Sequence, residues 1–173
     1  MKSLIALAFV CFATSRCGAQ TIQIGTNTFH TAYTNSSSRG FLREYCLPAE
    51  TTNNWTKLFS IRQFRNVESP KDYIDRMGQE YHKKFPHMTF ASGGQKSANR
   101  WFIDYFVYEK GGSKFLEWDF FRAETNATAG IWVYQYAERR RYKKSVKEFD
   151  SWDIKGLRKE MLPILMTNEF SLP

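Results

Sequence analysis

Residues 99–137 alternate their side chains with a period of two, and three strands are expected there. In the first run, residues 99–109, Trp101, Ile103, Tyr105 and Val107 alternate with Phe102, Asp104, Phe106 and Tyr108. β-Branched and aromatic residues at that period mark a strand. Both faces carry large apolar groups, so cover is expected on both. Residues 110–114 (KGGSK) supply a hairpin turn, since glycine reaches positive φ at no steric cost. In the second run, residues 115–124, Leu116, Trp118 and Phe120 share one face, and Phe115, Glu117, Asp119 and Phe121 share the other. A turn over 125–130 leads to the third run, residues 131–137. Trp132, Tyr134 and Tyr136 lie on one side there, and Ile131, Val133 and Ala137 on the other. Such runs joined by short turns form an antiparallel meander. Its rings read as core; a stacking platform for bases or sugars is the alternative.

The pattern before the meander is more varied. Residues 21–25 read as a short strand, and the polar TNSSSRG of 34–40 reads as a loop. Residues 41–47 and 55–64 read as strands around a turn over 48–54. Ser69 and Pro70 then open a helix: serine caps free N–H groups, and proline suits the first helical position. Ile74, Met77, Tyr81 and Phe85, with Tyr73, make its apolar stripe, and Pro86 ends it. Residues 88–91 suggest a short strand, with Gly93 and Gly94 turning into the meander.

After the meander, Ser145 and Glu148 have capping-box spacing, so a helix is expected near Ser145 or, given Asp150, slightly later. Ile154, Leu157, Met161 and Leu165 give it an apolar face, and Pro163 should kink or end it. The order of elements predicts an α+β fold, an antiparallel sheet of about five to seven strands with two main helices.

The first residues change the picture of the compartment. Lys2 precedes an apolar run over 4–13, and Cys17 and Ala19 stand where a signal peptidase expects small residues. Residues 1–19 thus read as a signal peptide, 20–40 as a flexible lead, and 41–173 as one domain. Export places the chain in a periplasm or outside the cell, and the mature chain shows no transmembrane segment. Cys11 and Cys17 leave with the leader, so Cys46 stands alone and forms no internal disulfide.

One cluster between two strands carries a resemblance. Glu44, Tyr45, Leu47, Pro48, Glu50, Asn54, Trp55 and Thr56 resemble the pattern E-Y-x-L-P-x-E…N-W-T of a family of small exported bacterial proteins. Residues 44–81 carry the match, and looser matches follow at Trp118-Asp119-Phe120 and Tyr136-Ala137. That family often has glycine where this chain has Ala49. The order of elements also looks like the PsbP-like α/β/α sandwich, which implies a binding or assembly module without catalysis. Read from the residues alone, Glu44, Tyr45, Pro48, Asn54 and Trp55 are a structural motif: a shaped turn and a core anchor.

Formal net charge is +8, and the leader holds cations but no acid, so the mature chain stays basic. Arg139, Arg140, Arg141, Lys143, Lys144 and Lys147 cluster at the junction of the last strand and the second helix. Free N–H groups at a helix start beside those cations favour an anion. The candidates are acidic lipid head groups, envelope polymers or an acidic protein; nucleic acid is not expected for an exported chain. The alternative is a solvated patch, or cations shared with Glu44, Glu117 and Asp119.

Catalytic chemistry has two footholds. Glu117 and Asp119 lie two apart on one strand, with Asp104 expected to approach them from the next strand. Cys46 is a formal nucleophile, although its neighbours Tyr45 and Leu47 suit a buried thiol. His30, His82 and His87 have no zinc spacing, and no cofactor or metal motif stands out. The expected role is therefore a non-catalytic envelope binding module with an anionic partner. The alternative is a secreted hydrolase-type enzyme using Glu117/Asp119 or Cys46.

Overall fold

The computed structural model describes residues 20–67, 69–86, 89–95, 99–108, 115–125, 130–142 and 151–170. The leader read at 1–19 and the Ser145/Glu148 capping box lie outside them. The described chain holds β1 (Thr21–Ile24), β2 (Asn27–Ser37), β3 (Gly40–Cys46), β4 (Lys57–Phe64), α1 (Pro70–Lys84), β5 (Thr89–Gln95), β6 (Arg100–Tyr108), β7 (Phe115–Thr125), β8 (Ile131–Arg141) and α2 (Ile154–Thr167). All strands join one antiparallel sheet in the order β1-β2-β3-β4-β8-β7-β6-β5. Two meanders thus meet where β4 pairs with β8, Phe59 opposite Tyr136 and Ile61 opposite Tyr134.

A helix covers each face, as the two-sided apolar runs require. On one face Ile74 and Met77 of α1 pack with Ile103, Tyr105, Val107, Phe121 and Val133. On the other, Met161 and Leu165 of α2, with Trp152 and Phe170, pack with Tyr45, Phe59, Trp118, Phe120 and Tyr136. Side chains two apart along a strand share a face, so each meander strand feeds both cores.

The expected helix from Ser69 is present: the Ser69 Oγ accepts from the Asp72 N–H at 3.1 Å. The sheet is larger than expected, with eight strands in place of five to seven. The additional length is β2, eleven residues within the stretch read as a flexible lead. Most of its side chains are exposed, with Phe29 buried. Backbone pairing with β3, bulged between Thr31 and Tyr33, defines it, and side-chain periodicity does not report that pairing. Gly93 and Gly94, read as a turn, lie inside β5 opposite Phe102 and Trp101. A Cβ on Gly94 would sit 2.5 Å from the Trp101 ring, so glycine there admits a close ring instead of a bend.

Of the two outcomes expected at Pro163, an end is excluded, because α2 continues through it to Thr167. Thr167 Oγ1 donates to the Pro163 carbonyl at 2.7 Å, and the Asn168 N–H donates to the Ile164 carbonyl at 3.0 Å. The last turn is thereby closed, and Leu165 stays buried.

Candidate functional site

The cluster between β3 and β4 folds into a tight turn. Glu50 N–H donates to the Leu47 carbonyl at 3.0 Å, and Ala49 adopts φ +67°. Glu50 Oε1 accepts from the Thr56 N–H at 3.0 Å and from Thr56 Oγ1 at 2.6 Å. Asn54 pairs with Thr51 across the loop. Tyr45 is buried with its ring 6.1 Å from that of Phe59, and Glu44 stands opposite Ser60 in the ladder. Trp55 receives Arg139: the guanidinium carbon lies 3.9 Å from the ring centroid, and Nε donates to the Trp55 carbonyl at 2.6 Å. The motif thus fastens the β3–β4 loop to the end of β8.

Cys46 is buried beside Leu58, Ala137 and Trp55. Burial pushes its thiol up to about 11, and the Glu50 and Glu44 charges add to the shift. His30 stands opposite Cys46 in the β2–β3 register. A thiol held protonated is a poor nucleophile at neutral pH. Exposed His82 lies on α1, and His87 lies outside the described residues.

The three arginines that end β8 divide between the two faces. Arg139 stands opposite Glu117 and Arg141 opposite Phe115, both on the α1 face. Arg140 points the other way, with its guanidinium 4.7 Å from the Trp152 ring centroid and Nη2 3.7 Å from Glu138 Oε1. Glu138 also takes Lys57 Nζ at 3.3 Å. Arg140 keeps 53% of its side chain exposed, and Arg141 is exposed as well. Lys143, Lys144 and Lys147 lie outside the described residues. At the start of α2, Asp153 caps the helix, its Oδ1 accepting from the Gly156 N–H at 2.8 Å.

Asp104 does not join Glu117 and Asp119. It stands opposite Phe120, on the α2 face, because strand parity separates odd from even positions. There Arg158 grips it with Nε 2.6 Å from Oδ2 and Nη2 3.1 Å from Oδ1, and Trp118 Nε1 donates to it at 3.2 Å. Asp104 is a buried staple between α2 and the sheet.

Asp119 is 2% exposed, on the α1 face. Burial raises its carboxyl well above the usual range, and repulsion and hydrogen bonding from Glu117 add to that rise. Gln135 Nε2 donates to Asp119 Oδ1 at 2.9 Å. The amide oxygen of the same glutamine accepts from Arg62 Nη2 at 2.7 Å. Tyr105 and Tyr81 stack above, with centroids 4.6 Å apart, and burial raises both phenols. Half-buried Glu117 and buried Asp119 thus share a site on the α1 face. Sequence reasoning missed Arg62 and Gln135. Their signal was the polar stripe Ser60/Arg62 and Gln135 at inward positions of otherwise apolar strands.

Among the described residues, no helix is long and apolar enough to cross a membrane. No curated protein matches the chain. A family model matches residues 19–169, and the chain belongs to that family, an uncharacterised one.

Proposed function

We propose that the chain is an exported, non-catalytic binding or assembly module of the cell envelope that takes an anionic partner at the end of β8. The strand end carries the reading. Arg140 and Arg141 stay exposed there, while Arg139 is stacked on Trp55 and Arg140 on Trp152. Stacked guanidinium planes lose less freedom when they meet an anion than free chains do. Lys143, Lys144 and Lys147 follow in the sequence and extend the charge. Export rests on the signal-like residues 1–19. A PsbP-like sandwich is supported by the helix on each sheet face. Catalysis at Cys46 is disfavoured by its protonated thiol.

Residues 20–173, sedimented with phosphatidylglycerol-containing vesicles at low salt, test the reading. Each basic residue near an anionic surface contributes about 1 kcal/mol, so Arg140→Gln, Arg141→Gln and Lys143→Gln together should lower retention on the order of a hundredfold. Equal retention of the triple variant, or equal binding to phosphatidylcholine vesicles, overturns it.

The Glu117–Asp119 pair, with Asp119 buried, supports a second reading, a secreted hydrolase-type enzyme with acid–base chemistry at that pair. A hydrolytic activity of the purified chain that disappears in Glu117→Gln would replace the first reading.

A further inference from the structure

A cleft of about 210 Å³ opens between α1 and the sheet, apart from the basic strand end. Arg62 and Gln135 line it from the sheet, and Tyr73, Arg76, Glu80 and Tyr81 from the helix, so two cations face one carboxylate. Its volume lies below the roughly 300 Å³ at which drug-sized pockets begin, so it suits a small molecule.

We propose that this cleft binds a small organic carboxylate, with the carboxylate on Arg62 and Arg76 and an apolar body against Tyr73 and Tyr81. Arg62 carries the argument. It spends one donor on the Gln135 amide oxygen, a neutral acceptor. Its Nε is buried and has no hydrogen-bond partner among the described residues. No described carboxylate forms an ion pair with it. The nearest acid in its hydrogen-bond network, Asp119, lies behind Gln135 and bonds to that amide, not to the guanidinium. A guanidinium that lines an open cleft without a carboxylate partner offers a charge-assisted bond to an incoming oxyanion. Arg76 sits exposed on the helix rim, where it adds a second cation. The half-buried Tyr73 and Tyr81 rings give the ligand an apolar seat. A bare inorganic anion would leave that seat unused.

The probe is sodium benzoate, followed in amide spectra of ¹⁵N-labelled residues 20–173, with benzamide and inorganic phosphate as comparisons. Benzoate should produce saturable shifts centred on the Gln135 side-chain amide and on residues 73–81. Arg62→Gln should weaken binding about tenfold or more, the scale of a lost charge-assisted hydrogen bond. Arg76→Gln, an exposed change that leaves the core intact, should weaken it in the same direction. Lys71→Gln removes a cation ion-paired with Asp75 elsewhere on α1 and should leave binding unchanged. Absence of saturable shifts, equal shifts from benzamide or phosphate, or unaltered affinity in Arg76→Gln overturns the proposal.

Discussion

The Arg122 guanidinium donates to the Asn168 carbonyl through both Nη1 and Nη2, each at 3.0 Å. Nη1 also donates to the Leu165 carbonyl at 2.8 Å. A cation from the middle of β7 thus meets the C-terminal carbonyls of α2, where the helix dipole is negative. Arg100 reinforces the same end: Nη1 donates to the Met166 carbonyl at 3.1 Å, and Nε lies 2.8 Å from Glu124. Arg122 is fully buried, with the Tyr134 ring 4.5 Å away. Arg122→Leu leaves buried carbonyls without donors and should cost about 3–5 kcal/mol. Arg122→Lys should lose a large part of that, because an ammonium cannot reproduce the planar fork. Urea unfolding followed by tryptophan fluorescence checks both. A loss below about 1 kcal/mol for the leucine variant would show that the fork does not hold α2.

Ala49 stands at φ +67°, a left-handed conformation in which a Cβ crowds the following carbonyl. The turn is nonetheless over-determined by the Leu47–Glu50 bond and by the Glu50 clasp on Thr56. Ala49→Gly should therefore stabilise by about 1 kcal/mol, the left-handed penalty less the glycine entropy. The same substitution on a helix surface destabilises by a similar amount, so the sign of the change is diagnostic. A lower urea midpoint for Ala49→Gly would contradict the strain.

The legible parts of this fold were those whose side chains report their burial. Trp101 to Tyr136 alternate because two helices cover two faces, and Ile74, Met77 and Tyr81 repeat every three or four residues because one stripe is buried. β2 left no such trace: its partners are the N–H and C=O groups of β3, which every residue carries. That α2 runs on past Pro163 was hidden for a related reason, since Thr167 and Asn168 close the helix end from outside the local pattern. At the candidate sites, Glu117 and Asp119 were identifiable as a pair by parity, but Asp104 belongs to the opposite face by that same parity. Gln135 reaches Arg62 across 73 residues of chain, a distance that no local motif encodes. The basic run was visible as charge, while its division by strand alternation emerged only with β8 extending to Arg141.

The Asp119 carboxyl should give folding a pH dependence of identifiable sign. Burial first, and Glu117 second, hold its proton on in the folded chain. An unfolded aspartate releases its proton near about pH 4. Above that point, and up to the raised folded value, the folded state binds more protons than the unfolded one. Stability from this group is therefore fully present below about pH 4 and declines as pH rises, by at most about 1.4 kcal/mol per unit for one proton. Asp119→Asn keeps an acceptor for Gln135 and a donor toward Glu117, yet carries no proton to lose. The variant should gain stability relative to the parent chain as pH increases from 4.5 to 8, with the gain levelling off above the folded value. Urea unfolding of both proteins at matched pH isolates this group, because the other titrations cancel in the difference. Glu117→Gln removes the neighbouring charge and should narrow the window from its upper end. A stability difference that stays constant across the series would mean that Asp119 is ionised in the folded chain and that Gln135 and Arg62 suffice to hold it so.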